Sequence, residues 1–217
     1  MKNDKLVKNL IPCKVLLKVT FLKNTSLVQR ANIAQENEVG KVVTLIWYQI
    51  KRHYKTKMIK FLLTNCFETK KLAQKMSFFL KPKDIVLLKG DLGAGKSYFA
   101  RAFIQSLLGE ETEVPSPTFT LVQEYETSIG PVWHFDLYRL KNEEEVFELG
   151  IDEAFARAIS LIEWPERLGS YTPKEYICLD FSFTENPDER IVTFSFTQKY
   201  EFMIERIKDL FPEKKII

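Results

Sequence analysis

The stretch LLKGDLGAGKSYF, residues 87–99, gathers three of the chain's eight glycines within six residues and follows them with a Lys-Ser pair. Gly90, Gly95, Lys96 and Ser97 fill the fixed positions of G-x-x-x-x-G-K-[ST], the signature of a phosphate-cradling loop. Glycines let backbone N–H groups, here those of Gly90, Asp91, Leu92, Gly93, Ala94 and Gly95, turn inward around an anion without Cβ clashes. A helix N-terminus directly after them adds partial positive charge. In such a loop the lysine, here Lys96, reaches the β- and γ-phosphates, and the hydroxyl, here that of Ser97, ligates Mg2+. The expected ligand is a nucleoside triphosphate with magnesium. No N-K-x-D triplet for guanine occurs, which favours ATP over GTP.

Such a loop works only between a strand and a helix, and both are legible. DIVLLKG carries the apolar run Ile85, Val86, Leu87 and Leu88, which reads as a buried strand. KSYFARAFIQSLLG has Phe99, Ala102, Phe103, Ser106 and Leu107 at helical spacing, with Gly109 placed to end the helix.

A phosphate loop also needs an acid to hold or orient the metal. Asp136 closes VWHFD and Glu163 closes ISLIE, two apolar strands whose carboxyl ends are where an α/β sheet binds its ligand. The alternative for each is an ordinary surface acid at a strand end. Trp164 follows Glu163 and either stacks on a base or packs as a structural tryptophan. Thr118, after a proline in SPTF, either senses the γ-phosphate through its hydroxyl or is a plain loop residue.

The rest of the chain reads as the frame for these residues. MIKFLLT is a strand, and NCFETKKLAQKMSFFL is an amphipathic helix capped by Asn65 with Leu72, Met76 and Phe79 on one face. VPSPTFTLVQEYE enters extended, forced by its prolines, and then alternates as a strand. TSIGP turns it back into the strand VWHFDLYRL. NEEEVFELG and IDEAFARA are short helices, and ISLIEW is a buried strand. YICLDFSF and IVTFSF form a hairpin around TENPDER, and YEFMIERIKDLF is an amphipathic helix. The expected fold class is α/β: a single P-loop NTPase-like domain with a central mixed β-sheet flanked by helices.

Composition limits the function. With 45% hydrophobic and 28% charged residues and no apolar run near eighteen residues, the chain reads as a soluble protein with no membrane contact. Cys13, Cys66 and Cys178 are scattered and odd in number, which argues against a disulfide framework or zinc site and suits a reducing cytoplasm. Two histidines leave little room for metal chemistry beyond magnesium. Charge divides the chain: residues 1–57 carry 12 Lys/Arg against 3 Asp/Glu, and residues 58–217 carry 20 against 26. The expected organisation is a basic extension over 1–57, disordered or outside the native protein, and a P-loop ATPase domain over 58–217. Met58 is an alternative start.

Five segments, GDLGAGKS, SPTFTLVQEY, HFDLYRL, ELGIDEAF and LIEWPERL, stand in an order and spacing that resemble the TsaE (YjeE) family over roughly 61–196. The resemblance implies a weak Mg2+-dependent P-loop ATPase needed to make threonylcarbamoyladenosine on tRNAs that read codons starting with adenine. It implies partnership with TsaD and TsaB, which carry out the transfer, and contact with tRNA through that complex. Carried over by position, Lys96 and Ser97 match the phosphate and magnesium residues, Thr118 a switch threonine, and Asp136 the essential acid of H-x-D-L-Y-R. Glu163 matches the magnesium-associated acid and Trp164 the adenine-stacking tryptophan. Thr69 matches a threonine near the nucleotide, and Arg190 a late arginine near the phosphates. The first 57 residues have no counterpart in the family pattern.

Two other functions fit a phosphate loop. A small P-loop kinase usually carries an arginine-rich lid, whereas here EETEVPSPTFT follows Gly109 and no arginine occurs before Arg139. A non-catalytic ATP-gated binding module would bind nucleotide without turnover. The net acidity of residues 58–217 assigns tRNA handling mainly to partners, since nucleic-acid affinity needs clustered Lys/Arg.

Overall fold

The structure, a computed structural model, describes residues 57–210. The expected basic extension lies outside the described residues, apart from Lys57, which opens the first strand.

Seven strands form one mixed sheet: β1 (Lys57–Leu63), β2 (Ile85–Lys89), β3 (Val122–Thr127), β4 (Gly130–Asp136), β5 (Ile159–Glu163), β6 (Ile177–Phe183) and β7 (Arg190–Phe196), in the order β1-β7-β6-β2-β5-β4-β3. The central four, β6-β2-β5-β4, run parallel. The flanking pairs β6–β7, β1–β7 and β3–β4 are antiparallel. The expected mixed α/β sheet is therefore present.

The central strands are apolar on both faces because both faces are covered. In β2, Val86 and Leu88 join one core, and Ile85 and Leu87 join the other. The first core is closed by α1 (Cys66–Ser77) and α2 (Lys96–Leu108), through Leu72 and Met76 from α1 and Phe99 and Phe103 from α2. The C-terminal α5 (Met203–Leu210) adds Met203, Ile204 and Ile207 to the same side. The second core is closed by α3 (Glu144–Glu148), α4 (Ile151–Arg157) and a 3-10 segment at Pro165–Tyr171, through Val146, Ile151, Ala154 and Leu168. Asn65 caps α1 as expected, its side chain accepting the Glu68 N–H at 3.0 Å.

Two expected strands are shorter than their alternation suggested. The segment before β3 is not strand: a turn over 117–120 closes with the Leu121 N–H donating to the Pro117 carbonyl at 2.6 Å. β4 stops at Asp136, not at Leu140. The Asp136 carboxylate accepts the N–H of Tyr138 two residues on, at 3.1 Å, which turns the chain out of the sheet. The terminal helix likewise starts at Met203, behind a 3-10 turn at Gln198–Tyr200.

Candidate functional site

The phosphate loop joins β2 to α2 at the carboxyl edge of the parallel strands, where side chains from neighbouring strands converge. Its glycines are needed for two separate reasons. Gly90 has φ +127°, and a Cβ there would run into the Phe181 carbonyl oxygen on the neighbouring β6. Gly95, at φ +111°, is the left-handed residue that delivers the chain into α2, and space around it is open.

A cleft of about 330 Å3 lies over this loop. One wall is Leu92, Gly93 and Gly95 with the first turn of α2, Lys96–Tyr98. The facing wall brings in Thr118, Asp136, Tyr138, Arg139, Glu163 and Trp164. Six residues that the sequence marks for chemistry, Lys96, Ser97, Thr118, Asp136, Glu163 and Trp164, thus meet in one place.

Lys96 is only 4% exposed, and its Nζ donates to the carbonyls of Gly90 at 2.7 Å and Asp91 at 2.8 Å. Burial draws the ammonium below the usual lysine range, and the negative charges of Glu163, Asp136, Glu166 and Asp91 oppose that shift. The ammonium also stands 4.0 Å from the centre of the Trp164 ring. Trp164 itself, at φ +57°, begins the 3-10 segment, and its ring lies 4.8 Å from that of Tyr138. The ring expected to stack on a base therefore meets Lys96 and Tyr138.

The two acids are differently furnished. Glu163, 1% exposed, accepts the Ser97 hydroxyl on Oε2 at 2.8 Å, and its Oε1 lies 2.9 Å from Nε2 of His134. Asp136, 5% exposed, accepts the Thr118 hydroxyl on Oδ2 at 2.9 Å and the Tyr138 N–H on Oδ1. The Thr118 hydroxyl is also 3.0 Å from that of Ser116, so the loop before β3 is tied to the end of β4.

The remaining candidates take other positions. Gly90 and Asp91 contribute their carbonyls to Lys96, and Ala94 is fully buried. Arg190 opens β7 and supports the loop from outside the cleft, its Nε donating to the Ala94 carbonyl at 3.3 Å. Its Nη1 is held by the carbonyls of Pro187 at 2.6 Å and Glu189 at 2.7 Å. Thr69 is 5% exposed on α1 and is not a lining residue of the cleft. Beside the expected residues, the cleft is lined by Tyr98, Tyr138 and Arg139, and His134 stands against Glu163. The period of two along β4 puts His134 on the face of Asp136, and the Asp-directed turn brings Tyr138 and Arg139 to the cleft.

Among the described residues no group of three or more His, Cys, Asp or Glu side chains could hold a metal. The Ser97 hydroxyl and Glu163 carboxylate, in contact, nonetheless form a pair of hard oxygen donors. That fits magnesium, which takes one or two protein oxygens and completes its shell with water and substrate phosphate. No helix among the described residues is long and apolar enough to cross a membrane.

A glycine loop between a central parallel strand and a helix, with acids at the ends of adjacent strands, defines a P-loop α/β protein. The family model described as "Threonylcarbamoyl adenosine biosynthesis protein TsaE" matches residues 63–192, and the chain belongs to that family. The tRNA threonylcarbamoyladenosine biosynthesis protein TsaE of Rickettsia felis is 54% identical over 105 residues, which are 48% of this chain and 61% of that protein. The match to its Rickettsia conorii counterpart spans 57% of that protein, so the chain covers about three fifths of these two relatives. The Bacillus subtilis protein of the same name is 37% identical over 153 residues, covering 70% of this chain and 94% of the relative. The crystal structure of Bacillus subtilis YdiB is similar with a TM-score of 0.60 and 32% identity, over 71% of this chain and 96% of that one.

Proposed function

We propose that this chain binds ATP with Mg2+ in the cleft over the phosphate loop and hydrolyses it weakly. In this reading it serves as an accessory in forming threonylcarbamoyladenosine on tRNA in the cytoplasm, with TsaD and TsaB as partners and tRNA met through their complex. The observation that carries the reading is the convergence of Lys96, Ser97, Thr118, Asp136 and Glu163 on one cleft at the end of the parallel strands. The role in tRNA modification draws on the family and on the names of its members.

The residues divide the work. Lys96 supplies positive charge to the phosphates, exchanging its two loop carbonyls for phosphate oxygens. Ser97 and Glu163 would hold the magnesium ion, which would supply positive charge to the phosphate oxygens. Asp136 orients the attacking water and accepts its proton, and Thr118, bonded to Asp136, reports the γ-phosphate to the loop before β3. Trp164 closes the cleft against the base. Phosphate release from ATP, measured with and without Mg2+, tests the reading. Magnesium-dependent release above background is expected, and binding without turnover would reassign the chain as an ATP-gated binding module.

A further inference from the structure

One buried titratable group beside the cleft has no part in the chemistry above. His134 lies on β4, 1% exposed, and is not a lining residue of the cleft. Its Nε2 is 2.9 Å from Oε1 of Glu163, also 1% exposed, and the other Glu163 oxygen takes the Ser97 hydroxyl. The imidazole Nδ1 is buried with no hydrogen-bond partner.

We infer that His134 is a positioning residue: it anchors Oε1 of Glu163 inside the sheet and thereby aims Oε2 at Ser97 and at the magnesium ion. The inference rests on the proposed ATP–magnesium reading. It follows from the geometry of the pair. A carboxylate oxygen only accepts, so Nε2 carries the hydrogen. Nδ1 has no partner of its own, so the hydrogen bond the ring makes here is Nε2–H to Oε1. That bond holds one carboxylate oxygen against β4 and leaves Oε2 to Ser97. Partners of this kind behind a metal-binding side chain typically set its orientation and basicity. His134 does not line the cleft and acts through Glu163.

The test uses the full chain and two variants, His134→Leu and His134→Gln, with ATP affinity measured by calorimetry over a magnesium series. His134→Leu should raise the magnesium concentration for half-maximal ATP binding by roughly 10–100-fold. His134→Gln keeps a donor for the same oxygen and should return that midpoint close to that of the unaltered chain. An unchanged midpoint in His134→Leu, or a His134→Gln variant as impaired as His134→Leu, overturns the inference. Nitrogen NMR of the unaltered chain supplies a readout free of any folding defect. With two histidines in the sequence, His134→Gln identifies the signal by its loss. The Nε2–H tautomer is expected, and an Nδ1–H tautomer overturns the inference. If the unaltered chain binds no ATP at any magnesium concentration, the ATP reading falls, while the tautomer measurement still judges the His134–Glu163 bond.

Discussion

Asp136 and Glu163 are register partners at the carboxyl ends of the parallel strands β4 and β5, yet each carboxylate is held by different donors. Glu163 faces the first turn of α2 through Ser97, and Asp136 faces the loop before β3 through Thr118. Two neighbouring acids with separate partners can do separate work, one on the metal and one on the nucleophile.

The two should therefore part company on substitution. Asp136→Asn should lower ATP turnover by about 10²–10⁴, the usual worth of a positioned acid or base, with the magnesium requirement unchanged. Glu163→Gln should raise the magnesium concentration needed for half-maximal rate. Initial-rate measurements over a magnesium series check both. Identical magnesium profiles in the two variants would remove the division of labour.

Lys96→Ala should cut turnover by about 10²–10³, the cost of removing one preorganised charge stabiliser, while circular dichroism stays native. The pH dependence follows from its burial. The pKa is lowered in the free protein, and phosphate beside the ammonium would raise it, so binding takes up a proton when pH lies between the two values. ATP affinity should accordingly fall as pH rises through the free-protein pKa of Lys96. Calorimetry at alkaline pH in buffers of different ionisation enthalpy reads the proton directly, and no uptake would contradict the account.

Trp164→Ala should weaken ATP binding by roughly ten-fold or more, since stacking on a nucleobase is worth about 1–3 kcal/mol. Its ring lies 4.0 Å from the Lys96 ammonium, so nucleotide binding should also change its surroundings. Tryptophan fluorescence on ATP addition is expected to shift in the unaltered chain and to lose that response in Trp164→Ala. A response of equal size in both would return Trp164 to a structural role.

The two described cysteines should differ in reactivity. Cys178 is buried in β6, and burial pushes its thiol up to about 11, leaving it protonated at neutral pH. Cys66 is exposed at the start of α1. Brief iodoacetamide treatment of the folded protein followed by peptide mass analysis should find Cys66 modified and Cys178 intact. Equal labelling would mean that β6 opens readily.

The parts of the site legible in sequence were those set by local chemistry. The phosphate loop is a contiguous motif whose glycines answer to backbone conformation, and Asp136 and Glu163 showed themselves as acids ending apolar strands. The bond from Ser97 to Glu163 spans 66 residues and was accessible only as two roles that require each other. His134 is not legible as a partner of Glu163 because the two lie 29 residues apart on neighbouring strands, although H-x-D alternation puts it on the face of Asp136. Arg190 supports the loop across 96 residues, a contact created by the strand order β7-β6-β2, and neighbouring strands in a mixed sheet do not follow from periodicity. Tyr138 and Arg139 were hidden by reading β4 through to Leu140. The turn that frees them depends on one side-chain bond from Asp136.

The proposed function ties ATP use at this cleft to threonylcarbamoyladenosine formation. The measurement that meets it most directly is reconstitution of the modification on tRNA from TsaB and TsaD, supplied with a threonylcarbamoyl donor, ATP and Mg2+, over repeated turnovers. The reaction should be sustained by the unaltered chain and fail to be sustained by Lys96→Ala at equal concentration. Equal modification with the unaltered chain, with Lys96→Ala and with no added chain would contradict the account.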